Sequence, residues 1–218
     1  NSTGGVRELD IVADDAAVTI SGVIGGDASL ESLDINKAAG STGAITLAGI
    51  GDGDTAGVDG AATLIGNANT STITLGGTVY KSDDAMTFAA ATSTSINGAD
   101  AAFTTTADAL TFTGPVLLGA SAGTPTMTTA GGALSFSSTL DGNASGTQNL
   151  TISTAGGAVT FTGKVGDTQA LGSLLVNNSA GSGAITFTED IGGTSAGGTT
   201  GTSTIGNTDT ASITFSED

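Results

Sequence analysis

Apolar residues along this chain fall in short alternating runs, apolar–Thr–apolar, separated by stretches rich in Gly, Ser, Asn and Asp. In Leu110-Thr111-Phe112-Thr113 and Val159-Thr160-Phe161-Thr162 every second residue is apolar, the period-2 signature of a half-buried strand. β-branched Thr, Val and Ile suit that backbone. The pattern predicts strands over 9–12, 17–23, 30–36, 44–48, 72–75, 86–89, 110–113, 133–137, 150–153, 159–163, 171–177, 184–188 and 212–216. No long stretch keeps a 3.6-residue apolar period, and Gly interrupts every helical candidate. The fold class is all-β.

One motif, apolar–Thr/Ser–apolar, begins at Val18, Ile45, Ile73, Met86, Leu110, Leu134, Val159, Ile185 and Ile213. Successive starts lie 27, 28, 13, 24, 24, 25, 26 and 28 residues apart. A period of this size means stacked units that cannot bury an apolar face alone. It predicts a parallel β-helix with coils of about 24–28 residues, eight or nine coils in all, as one repetitive solenoid over residues 1–218. The third motif position holds Ile20, Leu47, Leu75, Phe88, Phe112, Phe136, Phe161, Phe187 and Phe215, including six of the seven Phe residues. In-register stacking would line these up as one internal ladder with a rise of about 4.8 Å. The single interval of 13 predicts an insertion, or a strand off the coil, within the irregular stretch 78–106.

Ala130-Gly131-Gly132, Ala155-Gly156-Gly157 and Ala180-Gly181-Ser182-Gly183 each sit just before a motif strand, where Gly permits positive φ and a tight corner. Pro115 and Pro125 are expected at strand edges or turns, where a missing N–H costs little.

A longer repeat lies over the first. Residues 9–41 align with 150–182 at an offset of 141, sharing Leu9/Leu150, Ile11/Ile152, Val18/Val159, Leu30/Leu171, Leu33/Leu174 and Asn36/Asn177. Gly43-Ala44-Ile45-Thr46 recurs as Gly183-Ala184-Ile185-Thr186, and Ile65-Gly66-Asn67 as Ile205-Gly206-Asn207, at an offset of 140. Residues 9–78 therefore resemble 150–218, one and a half copies of a unit of about 140 residues. Two tandem β-sandwich domains would also accommodate such a repeat. Even motif spacing and Gly corners favour the solenoid.

Charge narrows the partners. Twenty-one acids against Arg7, Lys37, Lys81 and Lys164 give a formal net charge of −17. Such a chain repels nucleic acid and anionic membranes. No apolar run is long enough for a membrane-spanning helix. The chain starts at Asn1 without Met, which reads as a processed product or an excerpt of something longer. With no Cys, it must be held by packing and backbone hydrogen bonds.

Residues 109–191 resemble the repeat regions of very large bacterial surface proteins, the filamentous-haemagglutinin-like and autotransporter-like β-helix adhesins. The resemblance rests on Asn149-Leu150-Thr151-Ile152, on Gly157-Ala158-Val159-Thr160-Phe161-Thr162-Gly163-Lys164-Val165-Gly166, and on Ala170-Leu171-Gly172-Ser173-Leu174-Leu175-Val176. It implies a right-handed β-helix, secretion or display at the cell surface, and a role as stalk or fibre.

The residues for chemistry are few. Without His and Cys the common catalytic triads and thiol sites are excluded. Paired carboxylates remain, but the four basic residues are too scattered to hold an acidic polysaccharide, and no enzyme is expected. No cofactor is required. Calcium is the one that the sequence suggests: Gly51-Asp52-Gly53-Asp54-Thr55-Ala56-Gly57-Val58-Asp59-Gly60 packs three carboxylates, Asp52, Asp54 and Asp59, into a Gly-rich loop. An acidic solvated loop explains the same residues, and the second copy, 192–198, carries none of these acids. Thr111/Thr113, Thr160/Thr162 and Thr186/Thr188 resemble the Thr pairs of flat ice-binding faces, yet outward Thr is also ordinary on a strand.

The sequence thus points to a structural segment or self-assembling subunit of an extracellular fibre, sheath or adhesin stalk. Its expected partner is itself, end to end or laterally. The alternative is a calcium-dependent surface-layer module or one that binds host or surface glycan. Exposed aromatics would favour glycan, and only Tyr80 and Phe103 fall outside the expected ladder.

Overall fold

The computed structural model describes residues 7–144, 146–177, 181–193 and 197–216. Twenty-one short strands follow one another. The first seven are β1 (Glu8–Ile11), β2 (Val18–Ile20), β3 (Ser32–Ile35), β4 (Ile45–Leu47), β5 (Thr63–Gly66), β6 (Thr72–Leu75) and β7 (Val79–Ser82). Next come β8 (Met86–Ala89), β9 (Ser93–Ile96), β10 (Ala102–Thr105), β11 (Leu110–Phe112), β12 (Val116–Leu118), β13 (Thr126–Thr129) and β14 (Leu134–Phe136). The last seven are β15 (Leu140–Gly142), β16 (Asn149–Ser153), β17 (Val159–Phe161), β18 (Ser173–Val176), β19 (Ile185–Phe187), β20 (Thr204–Ile205) and β21 (Ile213–Phe215). No helix occurs among the described residues.

All strand pairs are parallel, and the strands form three sheets. The first face has nine strands in the order β1-β3-β5-β8-β11-β14-β17-β19-β21. A second face has β2-β4-β6-β9-β12-β15, and a third β7-β10-β13-β16-β18-β20. The chain is a parallel β-helix of about eight turns, triangular in its middle, where each turn gives one strand to each face.

Alternation within each strand sends one side chain in and the next out, as in the buried–half-buried–buried pattern of Leu110–Phe112. The inward residues form one continuous core from Val18 to Phe187. On the first face Phe88, Phe112, Phe136, Phe161, Phe187 and Phe215 stack with ring centroids 4.6–5.4 Å apart and planes within 17° of parallel. Tyr80 and Phe103 stack at 4.8 Å on the third face and meet Phe88 edge-on at 6.1 and 5.9 Å. Each buried ring contributes about 1.5–3 kcal/mol by burial. Each ring pair adds about 0.5–1.5 kcal/mol.

The nine residues expected in one ladder divide between two faces. Ile20, Leu47 and Leu75 lie in register on the second face and continue to Ile96 and Leu118. The six Phe residues follow Ile11, Ile35 and Ile65 on the first face. The interval of 13 is the cause: from Ile73 on β6 to Met86 on β8 the chain crosses two faces, not a full turn. The expected insertion over 78–106 is likewise corrected, since this stretch holds β7, β8, β9 and β10 in regular order.

The same shift governs the long repeat. β1 corresponds to β16, β2 to β17, β3 to β18, β4 to β19, β5 to β20 and β6 to β21. Yet β1, β3 and β5 lie on the first face and β16, β18 and β20 on the third. Five rungs separate β1 from β14, and two more faces lead to β16, so the unit spans five and two-thirds turns. Each copy is set on the rod one face out of phase with the last.

Corners explain the Gly pattern. A Cβ on Gly157 would lie 1.9 Å from the Gly132 carbonyl oxygen, and one on Gly183 1.9 Å from that of Gly157. At these positions the close approach of one coil to the next requires Gly, whereas positive φ belongs to Gly131 and Gly181. Pro115 and Pro125 immediately precede β12 and β13, and their carbonyls accept from Thr94 N–H at 2.8 Å and Thr151 N–H at 3.0 Å.

Candidate functional site

The acidic loop leaves the third side of the helix between Ile50 and Val58, both buried and both bridged to the β7 turn, at Tyr80 and Ser82. Asp52 stands at its start. Its carboxylate accepts the Asp54 N–H at 2.9 Å and the Thr55 N–H at 2.6 Å, closing a tight turn. Those backbone donors, Thr55 first and then Asp54, hold its carboxyl below the usual carboxylate range, and Lys81 adds to the effect. Lys81 lies one coil further on. Its ammonium donates to the carbonyls of Gly53 at 3.3 Å and Asp54 at 3.2 Å.

The loop's outward carbonyls are thus turned to a lysine. Asp54 and Asp59 are exposed, and Asp59 is tied to the neighbouring turn by its N–H, 2.8 Å from the Leu30 carbonyl. Among the described residues no group of three or more acidic side chains is arranged to hold a metal ion. Beside Asp52 an open cleft of about 500 Å³ is lined by Val23, Gly25, Gly26, Asp27 and Ala28.

Lys37 and Lys164 also join turns. Lys37 pairs with Asp34 and lies 3.8 Å from Asp10 on the preceding rung. The hydrogen bond that Lys37 donates to the Asp34 carboxylate raises the lysine's pKa. Lys164 lies 4.0 Å from Asp167 and 3.9 Å from Asp190. These exposed pairs are each worth little, and those to Asp10 and Asp190 run along the axis.

Tyr80 and Phe103, the aromatics that would have favoured a glycan surface, are fully buried. The Tyr80 hydroxyl donates to the Leu47 carbonyl at 3.1 Å and accepts from the Gly77 N–H at 3.0 Å. Burial pushes its pKa up to about 12. Phe215 is the one exposed aromatic among the described residues.

Outward hydroxyls do form ranks. Thr87, Thr111, Ser135, Thr160, Thr186 and Thr214 follow one another on the first face. Thr113, Ser137, Thr162, Thr188 and Ser216 run beside them, each N–H bonded to the Phe carbonyl of the previous rung at 2.9 Å.

Four corner amides, Asn36 and Asn177 buried and Asn67 and Asn207 half-buried, carry no role in the sequence reading. Asn36 and Asn177, both at positive φ, accept the N–H of Ala13 and Thr154 at 2.8 Å. Asn67 donates to the carbonyls of Asn36, Ala38 and Ser41, and Asn207 to those of Asn177 and Gly181. Lys81 shows the signal that would have found such pairs, since it lies 27 residues, one coil, after Asp54.

Compared with known proteins, the chain matches no protein family, no curated protein and no solved structure.

Proposed function

We propose that this chain is a structural segment of an extracellular fibre, sheath or adhesin stalk. One observation carries the proposal: an inward ladder runs unbroken along nine rungs of one face, six of them aromatic, with strand registry kept at every step. Parallel-sheet hydrogen bonds then point along the rod, so tension on the axis loads many of them together. On this reading the chain carries no reaction of its own. The extracellular setting rests on the resemblance of residues 109–191 to adhesin repeats. Wide-angle X-ray scattering tests the stack. Nine rungs at about 4.8 Å span about 38 Å, close to the diameter of a sphere of this mass, so the expected mark is a strong reflection at about 4.8 Å, and its absence overturns the rod.

A second reading has one observation in its favour. The paired hydroxyl ranks on the first face repeat every rung, at about 4.8 Å, which suits contact with a regular solid surface such as ice. Thermal hysteresis of the purified chain, lost in Thr160→Lys, would support it. Ordinary freezing would remove it.

A further inference from the structure

The two copies of the long repeat place the same residues in different surroundings. Ile50, Ile65, Ile73 and Leu75 of the first copy are all fully buried. Their counterparts in the second are Ile191, Ile205, Ile213 and Phe215. Ile191 is 36% exposed, Ile213 43% and Phe215 57%, while Ile205 is partly buried. In the first copy the cover is one further coil: Tyr80 lies on Ile50, Phe88 on Ile65, Thr94 on Ile73 and Ile96 on Leu75. In the second copy β20 and β21 form the last rung described, and Phe215 continues a ladder whose other five rings are buried.

We propose that the rung formed by Ile191, Ile205, Ile213 and Phe215 is a docking surface for one further coil of this same repeat, in the phase of residues 79–96. The proposal rests on the reading of the chain as a rod. The occupant follows from the interface already made inside the molecule, where the same apolar types are covered by that coil. Charge separates the candidates. A coil in this phase brings one lysine, Lys81, with two acids, Asp83 and Asp84, to an end that carries Glu189 and Asp190. The opposite rung of a second copy would bring Glu8, Asp10, Asp14 and Asp15 with Arg7, the larger excess of acid against acid.

The test is a fusion. A copy of residues 79–144 placed directly after Asp218 keeps the repeat in phase, since Asp218 corresponds to Thr78. A second fusion carries residues 9–74, the same length in another phase. Hydrogen exchange at Ile213–Phe215 is read in both and in the parent chain. The in-phase fusion is expected to slow exchange there by about tenfold or more, with the out-of-phase fusion near the parent. Equal protection by both overturns the phase. An in-phase fusion that leaves 213–215 unprotected, whether unfolded or folded apart, overturns the docking. Protection in the parent that grows with protein concentration assigns the surface to a second copy and overturns the choice of occupant. The parent's scattering profile is read separately, so failure of the rod is distinguishable from failure of the surface.

Discussion

The two copies of the long repeat differ at one buried hydrogen bond. The Asn177 amide donates to Thr154 Oγ at 3.1 Å, but Asn36 Nδ2 is buried without a partner. The counterpart of Thr154 is Ala13. Ala13→Thr is therefore expected to raise stability by about 1 kcal/mol, and Thr154→Ala to lower it by about 1–3 kcal/mol, both read from urea unfolding midpoints. Gly157→Ala pushes a methyl into the Gly132 carbonyl and is expected to cost about 2–4 kcal/mol in the same assay. Tyr80 is the only tyrosine, so its absorbance reports one group. Its folded pKa, about 12, lies above the free value of 10.0, so the folded state holds its proton longer. The stability this contributes is complete below pH 10.0 and is lost as pH rises through about 12. Alkaline titration should show a midpoint near 12 in the folded chain, and a midpoint at 10.0 would contradict the burial.

At the scale of strands and loops, the loop at 52–57 is held by a turn and a lysine. Lys81→Met removes the donor to Gly53 and Asp54, and faster exchange confined to that loop is the expected outcome. A chelator is expected to leave the parent's melting temperature unchanged, and a drop of several degrees would restore calcium to the loop. All the strands predicted from alternation overlap strands of the fold, because apolar–Thr–apolar segments can bury only one side. The strands β5, β7, β9, β10, β12, β13, β15 and β20 were not legible. Several turn Thr or Ser inward, as at Thr63, Ser82, Thr94, Thr105 and Thr129, so their alternation is hidden. Thr105, Thr129 and Thr154 are tolerated because each hydroxyl reaches a carbonyl three residues on. The candidate loop was legible as an acidic segment. Its lysine was not, since a coil of 24–28 residues leaves several residues opposite each loop position, and Lys81 is picked out only by the pairing of Ile50 with Tyr80.

At the scale of the whole molecule, a net charge of −17 is spread over a narrow rod. Added salt screens that repulsion, so any association between copies should rise with ionic strength, checked by sedimentation from about 0.01 to 0.15 M. The displacement of the repeat by one face has a consequence for whatever lies alongside. The first copy carries its loops on the third side and the second, between Val165 and Leu171, on the side of β15. An array of such units would present them as a spiral staircase. A unit of five and two-thirds turns comes back to its starting side only after three units and 17 turns, about 80 Å of rod. A neighbour lying along one side would meet that decoration at every third step and bare sheet between.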